Sequence, residues 1–506
     1  MAGLASAAAA LATGEVLAAL LAPAPSLVRS VGQEVINRVP PAVEDLAISA
    51  FGRNDKRALV VGIVLVCLAL GAALGAAAAR RWAVGVAGFC LFALVGLAAA
   101  VSQAPGTFLV SALAATGGVA AGLYCLRHLL ASRPPDVVPV AAPVEEDADA
   151  GRRGFLRLAA TVAGVAVVAG VAGRSVARAL MSGAKPSQIT LSPVAAPLPT
   201  PMAAMSLPVD GVSPLFTPNA DFYRIDTALV VPRVDLENWR LEVNGMVDRP
   251  LVLSFDDLLA MPQTEADVTL SCVSNEVGGD LVGNARWRGV RLVDLLDRAG
   301  VQEGADQIVG RSVDGWTGGF PTDAAIDGRE ALVAVGMNDE PLPLEHGFPA
   351  RLVVPGLYGY VSATKWLSQI ELTTLGSFDG YWVPRGWSKR GPVKTESRID
   401  VPRFGARLPL GRQPIAGVAW APTRGIARVE VSIDDGAWTD AVLSEPLSDA
   451  SWRQWSLAWD ASSGRHQVRV RATDGTGATQ TEERTSPRPD GATGFHTIAV
   501  TVAEAV

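Results

Sequence analysis

The chain has 506 residues, of which 49% are hydrophobic and 18% charged, and its formal net charge is −7. That length exceeds one ordinary domain, and a charged share below the usual quarter or so argues against a wholly water-exposed chain. The acidic balance and the lack of any Lys/Arg block exclude a nucleic-acid-binding face.

The composition divides along the chain. Residues 1–184 carry 14 Lys+Arg and 10 Asp+Glu, against 29 and 40 in the remainder. The first part is rich in Ala, Val and Leu and reads as an α-helical transmembrane region over 1–130. Runs 58–79, 82–101 and 107–130 are each long enough for a bilayer, which takes about 20 apolar residues. A fourth run, 4–22, is interrupted by Glu15 and reads as either a span or an amphipathic helix. Cys67, Cys90 and Cys125 lie in apolar runs and read as small fillers. His128 is the only histidine of this part, so paired haem ligands are not expected there.

A polar linker follows at 131–150, expected on the cytoplasmic side. Then "GRRGFLRLAATVAGVAVVAG" sets Arg152-Arg153 before a short apolar run. The segment 151–180 resembles a twin-arginine export signal, here read as an uncleaved anchor despite the small-residue site at Ala177-Arg178-Ala179. Arg80-Arg81, Arg127 and Arg133 then fall on the inside, as the positive-inside rule expects, whereas Arg53, Lys56 and Arg57 fall outside. The later part would stand on the extracytoplasmic side of the cell membrane. Twin-arginine export carries folded cargo, so the signal itself predicts a cofactor inserted before export.

Residues 181–215 are proline-rich and read as an extended linker. Over 216–395, short strands alternate with helices, giving an α+β domain. "WRLEVNG" is a strand ending in an Asn-Gly turn, and "SFDDLLAM" is a helix capped by Ser254. "RLVDLLDRAG" is a helix ended by Gly300, and "ARLVVPGLYGY" is a buried strand running into a turn. Residues 396–506 become all-β, with about seven short strands and Gly-rich turns, as in an immunoglobulin-like sandwich. In "ARVEVSID", Val429, Val431 and Ile433 are expected on one face, and Arg428, Glu430 and Ser432 on the other.

Cys272, at the end of the strand "VTLS", is the only cysteine after residue 184. An inert buried thiol, a nucleophile and a metal ligand compete for it. A nucleophile needs a base, and of the histidines in this part His466 and His496 fall in the sandwich, leaving His346. A zinc site needs about three or four ligands at regular spacing, and no such Cys/His pattern is present. A metal held by one thiolate would take its other ligands from an organic chelator.

Three ordered stretches carry a resemblance: "TLSCVSN…GNARWRGVRLVDLL", "MNDEPLPLEHGFPARLVVPGLYGYVSATKWLSQIEL" and "GVAWAP…IARVEVSIDDGAW". They resemble the sulfite-oxidase family of molybdopterin oxidoreductases over about 216–505. The resemblance implies a molybdenum–molybdopterin cofactor, with Cys272 as the metal ligand and a catalytic residue. It implies pterin contacts at Asn219, Tyr223 and Arg224 in "FTPNADFYRI", Asp314 in "RSVDGW", His346 and Arg351 in "HGFPAR", and Ala363, Thr364 and Lys365 in "SATKW". Trp387 aligns with the family's tyrosine beside the metal. The sandwich would be the dimerisation domain, and a homodimer is expected. No C-x-x-C-H motif is present, so no haem is expected and electrons would pass through a separate carrier, a cytochrome or a quinone-linked protein.

The chain departs from the family where anions bind. Pro218 and Val277 stand where sulfite oxidases place arginines; Arg385, Lys389 and Arg390 are nearby candidates to compensate. The resemblance implies oxygen-atom transfer to or from a small molecule. The other readings are an S- or N-oxide reductase fed from the quinone pool, and a cofactor-free envelope binding module.

Overall fold

The computed structural model describes residues 1–21, 25–40, 54–103, 107–131 and 186–503, with a few single positions between them. The twin-arginine segment and the linker before it lie outside the described residues. The chain forms two compact units, Met1–Ser182 with Thr227–Val231, and Gly183–Asp226 with Pro232–Val506.

The first unit contains α1 (Ala2–Leu20), α2 (Leu27–Arg38), α3 (Asp55–Ala78), α4 (Trp82–Gln103) and α5 (Phe108–Ala131). Helices α1, α3, α4 and α5 are long and apolar enough to cross a membrane. Three match the expected runs. The fourth, α1, carries Ser6, Thr13 and Glu15 but no continuous polar face, so the amphipathic reading of 4–22 does not hold. Glu15 has a local use: its carboxylate accepts from Ser26 Oγ (2.8 Å) and Val28 N (3.3 Å), closing the start of α2. That twelve-residue amphipathic helix had no signal as strong as its neighbours. Backbones approach closely at Gly3, where a Cβ would stand 2.7 Å from the Gly75 Cα; small residues let apolar helices touch in this way.

In the second unit β1 (Leu241–Gly245), β2 (Leu251–Leu253), α6 (Phe255–Ala260), β3 (Thr264–Ser271), β4 (Val282–Arg291) and α7 (Leu292–Ala299) come first. Then come β5 (Gln307–Ser312), β6 (Thr317–Pro321), α8 (Asp323–Ile326), β7 (Leu332–Met337), β8 (Glu340–Pro341), β9 (Arg351–Val353), α9 (Gly359–Ser362) and β10 (Leu367–Thr373). They form two five-stranded sheets, ordered β2-β1-β10-β5-β6 and β3-β4-β7-β8, with β9 pairing β7. The local signals act as expected. Ser254 and Asp257 make a reciprocal capping box on α6, and Gly300 ends α7 in the left-handed region. β3 is buried over its last six residues, which is why it carries the apolar run ahead of Cys272.

The all-β part holds β11 (Glu396–Val401), β12 (Arg407–Pro409), β13 (Gly411–Trp420), β14 (Ile426–Ile433), β15 (Thr439–Asp440), β16 (Val442–Leu443), β17 (Arg453–Ala461), β18 (Gly464–Asp474) and β19 (His496–Ala503). Its sheets, β11-β13-β17-β16 and β12-β19-β18-β14-β15, enclose a common core around Val429, Val431, Trp455, Val468 and Val500. The expected alternation in β14 is only half realised, because Glu430 and Ser432 are also buried. Each has a partner: Glu430 pairs with Arg471 at 2.9 Å and Ser432 Oγ donates to the Gly436 carbonyl at 2.8 Å.

No seam separates the α+β part from the sandwich. One apolar core runs from Leu241 and Leu296 through Tyr358 to Val418, Trp420 and Trp452. The loop before β17 also clamps β3. Ser448 and Ser451 hydroxyls donate to the Asp267 carbonyl (2.8 and 2.9 Å), and Trp452 N donates to Thr269 Oγ1 (2.7 Å).

Candidate active site

Four segments converge at the end of β3: the turn 217–226, the loop following Ser271, the stretch 344–351 and the stretch 359–366. Cys272 closes β3, its amide donating to the Leu281 carbonyl at 2.9 Å, and its side chain is 8% exposed. Ser274 Oγ lies 2.9 Å from Sγ. Burial pushes the thiol above its ordinary range, with Ser274 and the Lys365 charge opposing the rise. The isolated group is therefore a neutral thiol, and a metal cation is what would remove its proton. No group of three His, Cys, Asp or Glu side chains able to hold a metal occurs among the described residues.

Asn219 is held on three sides. Nδ2 donates to the Met337 carbonyl and to Glu340 Oε2 (both 3.2 Å), while Oδ1 accepts from Asn338 Nδ2 (2.9 Å). Its carbonyl faces His346 Nε2 at 2.9 Å. A carbonyl only accepts, so Nε2 carries the proton and Nδ1 is a bare acceptor. Burial lowers the His346 pKa to about 4, aided by the positive charges of Lys365, Arg351 and Arg224. The ring is therefore neutral, and Nδ1 is buried with no partner.

Phe222 joins these pieces, stacking on Tyr223 (centroids 5.3 Å) and meeting His346 edge-on (5.6 Å). The Tyr223 hydroxyl stands beside Gly359, where a Cβ would be 3.8 Å away and also 4.0 Å from the Ser271 carbonyl. Burial pushes Tyr223 well above its ordinary pKa, so it is a neutral donor.

Arg351, 3% exposed, opens β9 and lies over the Trp287 ring at 4.8 Å. Its Nη1 donates to the His346 carbonyl at 3.1 Å, and no carboxylate pairs with it among the described residues. Burial pushes it down to about 10. Lys365 is pushed down to about 8, again by burial, and Asp226 at 3.4 Å partly offsets the loss. Arg224 shares that carboxylate at 2.8 Å but is itself exposed. Thr364 is fully buried, with Oγ1 unpartnered. Ala363, closing α9, puts its Cβ beside Gly359. Trp366, next to Lys365, has φ 48° and so stores backbone strain beside the cluster.

Asp314 does not join this cluster. It is exposed in the turn between β5 and β6, where its carboxylate accepts from Trp316 N at 3.1 Å. Trp387 reaches the site through α9, its ring 5.9 Å from that of Tyr360, and its Nε1 is buried without a partner. Two of the three nearby cations have partners of their own. Lys389 pairs with Asp379 at 2.6 Å, Arg385 stacks on Tyr381 at 3.7 Å and Arg390 is exposed. Sequence reading missed Arg488, which lies over the Trp387 ring at 5.4 Å and comes from the loop before β19. About a hundred positions separate the two, and no local pattern links them.

The donor set suits a pterin phosphate. Arg351 is a buried cation with no carboxylate partner among the described residues, and Lys365 pairs with Asp226, which Arg224 shares. Thr364 Oγ1 and His346 Nδ1 are orphaned polar atoms of the kind a hydrogen-bonding ligand satisfies. A lone buried thiol completes the set.

The family model for the oxidoreductase molybdopterin binding domain matches residues 228–382. Mitochondrial sulfite oxidase of Homo sapiens is 32% identical over 303 residues, covering 50% of this chain and 55% of that protein. The uncharacterized oxidoreductase YuiH of Bacillus subtilis (strain 168) is 40% identical over 157 residues, covering 31% of this chain and 76% of that one. The chain thus spans about half the length of the sulfite oxidases it matches. Among solved structures, the sulfane dehydrogenase SoxCD from Paracoccus pantotrophus is similar with a TM-score of 0.50 and 24% identity, covering 60% of this chain and 89% of that chain. At that identity the likeness concerns the fold.

Proposed function

The chain belongs to the sulfite-oxidase family of molybdopterin oxidoreductases, and on that premise we propose that it catalyses oxygen-atom transfer at a molybdenum held by Cys272. The observation that carries this reading is the set of polar groups gathered around a single thiol: the buried Arg351 with no carboxylate partner among the described residues, Lys365 beside it, and the unpartnered Thr364 Oγ1 and His346 Nδ1. When bound, the molybdenum cofactor supplies two-electron oxidation and reduction coupled to movement of one oxygen atom.

The chain's own residues do the rest. Cys272 yields its proton when the metal binds, and its burial keeps water from the thiolate. Arg351, Lys365 and Thr364 hold the pterin phosphate, with Ala363 shaping the same stretch. His346 Nδ1 accepts from a ring N–H, while Asn219 fixes the imidazole tautomer through its carbonyl. Tyr223 donates near Cys272, and Arg224 keeps Asp226 aligned with Lys365. Asp314 is the weakest member, since its carboxylate caps its own turn.

Trp387 Nε1 and Arg488 form the substrate mouth, which holds fewer charges than a sulfite pocket because Pro218 and Val277 carry none. That difference favours a small substrate of low charge, which keeps S- or N-oxide reduction as the second reading. Helices α1, α3, α4 and α5 would anchor the protein in the cell membrane, with the catalytic unit on the extracytoplasmic side. The sandwich, immunoglobulin-like in this reading, would mediate a homodimer, and a separate cytochrome or quinone-linked carrier would exchange electrons.

The test is metal analysis of the purified protein beside Cys272→Ser. Molybdenum near one per chain is expected in the wild type, with activity lost by about 100-fold or more in the variant. Wild type without molybdenum, or a variant keeping metal and activity, would overturn the reading. Parallel assays with sulfite plus an acceptor, and with sulfoxides plus a donor, decide the direction.

A further inference from the structure

The loop that carries Cys272 is closed from within near the thiol. Asn275 N donates to the Cys272 carbonyl at 3.0 Å, and Asn275 Oδ1 accepts from Leu281 N at 2.9 Å. Its outer turn is held from elsewhere. The Gly279 carbonyl accepts from Arg398 Nη1 at 2.8 Å, and Arg398 lies in β11 of the sandwich.

The same guanidinium has two further partners. Nη2 donates to Ser213 Oγ at 2.8 Å, and Nε pairs with Asp400 Oδ1 at 2.7 Å. The other Asp400 oxygen accepts from Ser213 N at 2.9 Å, which closes the group on itself. The Arg398 and Asp400 side chains are 12% and 10% exposed, so water competes weakly for these bonds. Ser213 lies in the segment that leads to Asn219 and Tyr223. On the way, Thr217 is pinned to β4: its amide donates to the Asn284 carbonyl at 2.8 Å, and its Oγ1 accepts from Asn284 N at 3.2 Å. Beside Arg398, Ile399 N donates to His496 Nδ1 at 2.9 Å, and that ring lies against Gly278.

We infer that Arg398 is a positioning residue that locks the Cys272 loop to the entry segment, so that the thiol and the pterin-side residues keep a fixed spacing. This rests on the proposed role of Cys272. The planar guanidinium directs its N–H groups along fixed lines, and here they reach three separate stretches of chain. A lysine keeps the charge but cannot hold those acceptors in one plane. Removing an outer support of a metal ligand commonly costs about tenfold or more in metal affinity.

The test uses the full chain and two readouts. One is the molybdenum-to-protein ratio of enzyme purified with its cofactor. The other is the rate at which a maleimide reaches Cys272 in cofactor-free protein, measured on the Cys272 peptide so that Cys67, Cys90 and Cys125 do not interfere. Because the thiol is buried, alkylation reports local opening of the loop. Arg398→Lys is expected to raise the alkylation rate about tenfold and to lower molybdenum content. Ser213→Ala removes one arm and leaves the guanidinium in place, for an expected rise of about threefold. Arg424→Lys is the control for general loss of stability. Arg424 pairs with Asp474 at 2.8 Å and donates to the Val393 carbonyl at 3.1 Å, so its variant should melt earlier yet keep the wild-type alkylation rate. If Arg398→Lys does not fold, Ser213→Ala against Arg424→Lys decides the matter. Wild-type alkylation in either clamp variant, or an equal rise in Arg424→Lys, overturns the positioning role. Wild type without molybdenum overturns the cofactor reading instead, while the alkylation arm still tests the clamp.

Discussion

His346 has one nitrogen pinned to a carbonyl and the other bare, and its protonation is where cluster chemistry meets stability. It titrates near 4 in the folded chain against an ordinary value of 6.5. As pH falls, the unfolded chain therefore binds the proton first. The stability due to the neutral ring is complete above about 6.5 and is lost as pH falls through the window toward 4. His496 is lowered to about 4 as well, mainly by burial. Melting temperatures of cofactor-free protein should fall between pH 6.5 and 4, and His346→Gln should remove about half of that slope. An unchanged slope would mean that the ring is already charged or exposed. The residues of this cluster were legible because they sit in short ordered motifs. Arg488 was not: it is an ordinary charged residue in the loop before β19, and only the packing of distant segments brings it over Trp387. Asp314 is the opposite case, a motif match whose side chain makes a local hydrogen bond in its own turn.

At the level of elements, the Cys272 loop is a tight connection between β3 and β4 that works only because of Gly278. This residue has φ 80°, and a Cβ there would overlap the His496 ring. The left-handed backbone alone costs an alanine about 1–2 kcal/mol, and moving the ring adds to it. Gly278→Ala should lower the melting temperature by several degrees and reduce molybdenum content. A variant with wild-type melting and metal would mean that the loop and β19 are not in contact. The strand before the loop was readable from its apolar run, as were α6 and α7 from their caps, because capping and burial are local or periodic. The amphipathic α2 was not, since its start depends on Glu15 from another helix. The inward turn of Glu430 in β14 was likewise hidden, because a cross-strand arginine compensates it.

Across the second unit, the continuous core matters more than the count of domains. Arg351, Thr364 and His346 are 3%, 0% and 4% exposed, and four segments plus the sandwich surround the Cys272 loop. In the proposed reading, a cofactor of pterin size would enter such a site while the chain is still closing, so insertion would precede export. This agrees with the proposed twin-arginine route, and the charge pattern leaves one objection to it. Lys56 falls on the outer side by sequence order, yet its Nζ donates to the Ala228 carbonyl at 2.9 Å. A charge engaged by a protein carbonyl has a structural use of its own and weighs less as a topological signal. The decisive variant is Arg152→Lys combined with Arg153→Lys, which keeps the charge and removes the arginine pair. It should leave molybdenum content near that of wild type, because loading precedes export. In spheroplasts, added protease should cleave the wild-type catalytic unit and spare that of the variant. Equal cleavage of both would end the twin-arginine reading, and protection of both would place the catalytic unit on the inner side.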